Sequence, residues 1–164
     1  MKRTKGTVTL VGVAIILLAA VIILLSVFVP RLQQKKQMKE LLRAATSPDI
    51  AVMALNDPLF DHGDLLGNKG KEVELTGEAR GQMQAALGAL LDAGFRAKGA
   101  EKSPFGTSDL SLYVRGASGD TVRLYFTAEE FYYQQGSAIA RFAPKDAEAY
   151  GELYTLLQAL IQEK

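Results

Sequence analysis

From Thr7 to Val29 the chain carries no charged side chain, and most positions are Val, Ile, Leu or Ala. A helix over these 23 residues reaches roughly 34 Å at a rise of about 1.5 Å per residue, enough to cross a hydrocarbon core of about 30 Å. The pattern changes after Pro30. Between Arg31 and Ala45, Leu32, Met38, Leu41, Leu42 and Ala45 recur among Gln, Lys and Arg. This imperfect stripe predicts a short helix lying at the membrane interface or continuing the span as a stalk. The polar cluster Thr46, Ser47, Pro48, Asp49 then marks a link into a folded region.

Two further stretches repeat at helical spacing. Ala79, Met83, Ala86, Leu87, Leu90 and Leu91 follow an N-cap candidate, Thr76, and an acid in the first turn, Glu78; Gly94 supplies the stop. The spacing predicts a helix from about 77 to 93. A second begins near Pro144 or Asp146 and places Tyr150, Leu153, Leu157, Leu160 and Ile161 on one face. Between them the period falls to two. Leu110, Leu112 and Val114 alternate with Ser111, Tyr113 and Arg115, and Val122, Leu124 and Phe126 alternate with Arg123 and Tyr125. Gly116 to Asp120 form the turn. Glu130 to Tyr133 and Ala138 to Phe142 read as a hairpin around Gln134, Gln135 and Gly136, and Ile50 to Leu55 and Glu72 to Leu75 as shorter strands. The expected architecture is α+β: an N-terminal transmembrane helix, then an antiparallel meander of about four to six strands with two helices packed on one face. The division is a basic tail (1–6), a span (7–29), a stalk (30–48) and one small domain (49–164).

Charge alters this picture by its distribution. Residues 1–46 hold eight Lys and Arg against one acid, giving +7, whereas residues 47–164 hold 11 bases and 17 acids, giving −6. A domain of that sign repels a phosphate backbone, which argues against a nucleic-acid partner. Arg31, Lys35, Lys36, Lys39 and Arg43 adjoin the apolar run, where anionic headgroups attract each basic side chain by about 1 kcal/mol. The run exceeds the length of a secretory h-region, and Ser26 to Pro30 offers no small-x-small cleavage site, so an uncleaved anchor is expected. Orientation signals conflict. Five bases follow the run and three precede it, which favours a cytoplasmic domain; the short basic tail of Lys2, Arg3 and Lys5 favours an exported one. The expectation adopted is a cell-membrane anchor with an extracytoplasmic domain, consistent with a chain that lacks Cys.

Candidate chemistry is sparse. Asp57, Asp61, His62 and Asp64 gather three carboxylates and the sole His, yet their spacing matches no metal loop, and Asp, Gly and His are ordinary loop residues. On the sheet face opposite the helices, Tyr113, Arg115, Arg123, Tyr125 and Arg141 are expected side by side. That set suits an acidic partner or small anion, and equally suits plain cross-strand pairing. Phe131, Tyr132, Tyr133, Tyr125, Phe126 and Phe142 either line an apolar or sugar-like pocket or fill the core. Gly12, Ala19 and Ser26 place small residues near one face of the span, a pattern that permits close helix contact. Gly63, Gly67 and Gly70 lack the Lys and Ser/Thr of a phosphate loop, and no nucleophile can be paired with a base. No cofactor is implied. The expected role is a protein-interaction or ligand-binding module at the membrane surface, touching another membrane or envelope protein. The alternatives are an envelope enzyme with paired carboxylates and a ligand sensor relaying through the stalk.

Overall fold

A computed structural model describes residues 4–56, 72–101, 110–117, 119, 121–135 and 138–162. The chain begins with one long helix, α1 (Thr4–Ala45), that runs through Pro30 without a break. From Val13 to Leu32 its large apolar side chains are between 42% and 69% exposed, on all sides of the helix. A helix apolar all round has no wet face, and α1 is long and apolar enough to cross a membrane. Its last turns behave differently. Met38, Leu42 and Ala45 are fully buried in the domain core, while Lys36, Glu40 and Arg43 face solvent on the other side.

Seven strands follow: β1 (Ile50–Asn56), β2 (Glu72–Glu74), β3 (Phe95–Glu101), β4 (Leu110–Gly116), β5 (Thr121–Phe126), β6 (Phe131–Gln135) and β7 (Ala138–Pro144). They form one antiparallel sheet in the order β2-β1-β4-β5-β6-β7-β3. β4 to β7 are the expected meander. The strand beyond the expected count is β3. Its alternation is broken by a bulge between Ala97 and Gly99, where Gly99 takes φ +113°, and it has no β-branched residue to mark it.

Helix α2 (Gly77–Ala93) connects β2 and β3, which lie at opposite edges of the sheet. Six strand spacings of about 4.8 Å separate those edges by roughly 29 Å, and a helix of 17 residues is about 25 Å long, so α2 crosses the sheet with little slack. Gly94 ends it with φ +80°, its N–H bonded to the Leu90 carbonyl. Thr76 stands at the N-cap in extended conformation, but its hydroxyl makes no capping bond. Asp146 caps α3 (Ala147–Gln162) properly: Oδ1 accepts from the N–H groups of Glu148 at 3.0 Å and Ala149 at 3.1 Å.

The core lies between this layer of helices and one face of the sheet. Met38 and Leu42 of α1, Met83, Leu87 and Leu90 of α2 and Tyr150, Leu153 and Leu157 of α3 pack on Met53, Leu55, Leu112, Leu124, Phe131 and Phe142. The two predicted helices are therefore joined on that face by a third, the end of α1. Phe131 stacks on Phe142 at 5.5 Å, and Phe95 meets both edge-on at 5.5 Å. Tyr150 donates its hydroxyl to the β5–β6 turn, where the carbonyls of Thr127 (2.9 Å) and Glu130 (2.6 Å) both lie within reach of its single proton.

Candidate functional site

The face of the sheet away from the helices carries the side chains expected there. Register pairs Tyr113 with Arg123, Arg115 with Thr121, Tyr125 with Tyr132, and Tyr132 with Arg141. All five sequence-selected residues share this face, but they do not form one open patch. Tyr125 is buried with Tyr132 and Ile139 in a small second cluster. Arg141 is half-buried and its Nε lies 3.0 Å from Glu130 Oε2. Lys98, the extra residue of the β3 bulge, reaches the other carboxylate oxygen of Glu130. The Arg123 guanidinium sits 5.8 Å above the Tyr113 ring, a cation–π contact between neighbouring strands. Arg115 is exposed at the strand end. Cross-strand contacts thus account for most of the set, with the Tyr113–Arg123 pair and exposed Arg115 grouped toward one end.

Asp57, Asp61, His62 and Asp64 lie outside the described residues. Among the described residues no three His, Cys, Asp or Glu side chains converge in a way that would hold a metal ion. The aromatic set divides between two faces. Phe126, Phe131 and Phe142 fill the main core, Tyr125 and Tyr132 belong to the second cluster, and Tyr133 is half-buried against the main core. Burial pushes the Tyr133 phenol above the usual tyrosine range.

A cleft of about 430 Å³ opens elsewhere, on the helix side of the sheet where α1 ends. Leu41, Ala44 and Ala45 of α1 form one wall, Ile50, Val114, Gly116 and Val122 of the sheet form the other, and Ala117 of the β4–β5 turn, with Ser47 and Asp49 of the α1–β1 joint, completes the lining. Small residues, Ala44 and Ala45 of α1 with Gly116 and Ala117 at the end of β4, stand among the larger aliphatic side chains of the lining. Comparisons with family models, with characterised proteins and with solved structures find nothing that matches this chain.

The joint beside the cleft is held from α2. Arg80 donates from Nε to the Leu75 carbonyl and from Nη1 to the Ile50 carbonyl, both at 3.2 Å, and from Nη2 toward Ala51 at 3.5 Å. Gln84 Nε2 donates to the Ser47 carbonyl at 2.9 Å. Ala51 lies at a register shift in β1, so Arg80 supplies donors where the ladder is irregular. Asp49 is tied through its backbone, its N–H donating to Ser47 Oγ and its carbonyl accepting from Ala117. Sequence pattern gave no warning of this cleft. Its walls come from α1, β1, β4 and β5, and only the stripe through Leu41 and Ala45 hinted that the stalk had an apolar neighbour.

Proposed function

We propose that the protein is a single-pass membrane-anchored binding module whose acidic domain is held at the membrane surface, on the extracytoplasmic side. The observation that carries this reading is the continuity of α1. Met38 lies nine residues beyond Val29, roughly 14 Å along a helix, and it is already in the domain core. A domain joined in this way has a fixed height above the bilayer and little freedom to reorient. Arg31, Lys36 and Arg43 remain exposed on the connecting turns, where anionic headgroups would add to the hold. The cleft beside the joint is the feature best suited to receive a ligand or a partner's side chains, since its volume falls in the usual range for such sites.

A second reading, a sensor that relays occupancy through the stalk, is favoured by one specific observation: Leu41, Ala44 and Ala45 of the cleft wall belong to the helix that also forms the proposed span. The enzyme reading gains no comparable support. Asp49 is the sole acid among the described residues of the cleft lining, whereas carboxylate chemistry of the glycosidase kind needs two.

Photo-crosslinking residues placed at Ala44, in the cleft, and at Glu129, exposed on the β5–β6 turn, test the module in intact cells. Adducts from position 44 with none from position 129 are expected; equal yields, or none from 44, overturn the cleft as the binding region. Protease added outside intact cells should digest the domain. Protection until the membrane is opened would reverse the orientation.

A further inference from the structure

The chemistry of the cleft lining narrows what it can bind. Its walls are aliphatic, with Leu41, Ile50, Val114 and Val122 as the larger side chains, and its polar part comes from Ser47 and Asp49. None of the described lining residues is basic. Asp49 is exposed and makes no ion pair among the described residues. An apolar slot with one unneutralised carboxylate complements an amphiphile of opposite charge. An anionic amphiphile would meet like charge at the same place.

We propose that the cleft binds an aliphatic chain bearing a cationic head, with the chain against Ala44, Ile50, Val114 and Val122 and the head at Asp49. This rests on the binding-module reading above and names the ligand class for that site. Asp49 is solvent-exposed, so water screens its interaction with a charged head, and exchanging attraction for repulsion separates two ligands of equal chain length by only about tenfold. The apolar walls supply the bulk of the affinity and do not discriminate head groups. A cation should therefore bind about tenfold tighter than an anion of the same length.

The test uses the full chain in nanodiscs of zwitterionic phospholipid, with methyl-labelled Ile, Leu and Val, titrated with octylammonium and with octanoate. Octylammonium should shift the methyl signals of Ile50, Val114 and Val122 in a saturable way, with octanoate about tenfold weaker. In Asp49→Asn the difference between the two should disappear while chain binding persists. Ala44→Leu, at an exposed helix position, should fill the cleft and abolish the local shifts for both ligands with the unfolding temperature unchanged. Octanoate binding as tightly as octylammonium, or Asp49→Asn titrating like the parent, overturns the proposal. So does an absence of local shifts with either ligand; that result leaves the binding-module reading to stand or fall on the position-44 adducts alone.

Discussion

The two ends of α1 share one backbone and differ in what surrounds them. From Val13 to Val29 the helix is apolar on every side and exposed; from Met38 to Ala45 it is apolar on one side only, and that side is buried under the domain. The contrast shows that a single helix can present two solvent problems in sequence, one of a length and composition that lipid would solve and one solved by a protein core. The turn between them, Arg31 to Gln37, is polar and connects the two without a flexible linker. A folded domain on a floppy tether and this molecule would have the same hydropathy profile but different mechanics.

The largest expected effect comes from cutting α1 out of the core. Met38→Ala or Leu42→Ala should each destabilise the domain by about 2–5 kcal/mol, whereas Leu25→Ala, exposed in the apolar half, should leave domain unfolding unchanged. Thermal or denaturant melts in nanodiscs would measure all three. Similar small effects at every position would mean that the two halves do not differ as described.

Next in size is the joint. Arg80→Met keeps most of the stem and removes the donors to the Leu75, Ile50 and Ala51 carbonyls. A loss of about 1–2 kcal/mol is expected, with faster amide exchange at the start of β1. Unchanged exchange there would show that α2 does not hold the junction.

The smallest effect lies at Tyr133 of β6, half-buried against the main core. Because burial raises the Tyr133 phenol in the folded state, the folded protein holds that proton more tightly than the unfolded chain does. The associated stability is intact below the unfolded value near 10.0 and is lost as pH rises through the higher folded value. Tyr133→Phe should therefore lose less of its unfolding temperature than the parent between about pH 8 and pH 10.5. Equal losses would remove Tyr133 from the alkaline response.

Much of the fold was legible because its periodicities are clean. The α2 stripe from Ala79 to Leu91 and its Gly94 stop, the Asp146 start of α3, and the alternation in β4 and β5 all reflect local geometry that neighbouring residues enforce. β3 escaped because the Lys98 bulge shifts its phase and because Ala and Gly leave no hydrophobic signature. The candidate face was legible as a face, since alternation alone assigns Tyr113, Arg115, Arg123, Tyr125 and Arg141 to one side. Its burial was not. Which of those residues lie dry, as Tyr125 does, or meet an acid, as Arg141 meets Glu130, depends on contacts distant in sequence. The cleft was the least legible feature, since small residues announce nothing until two walls are brought together.

The account depends most on α1 being part of the domain. Its most direct test compares two soluble chains, one spanning residues 31–164 and one spanning 47–164, by thermal unfolding followed by circular dichroism. The first retains Met38, Leu42 and Ala45 and should unfold cooperatively; the second should melt far lower or without a cooperative transition. Equal melting of the two would contradict it.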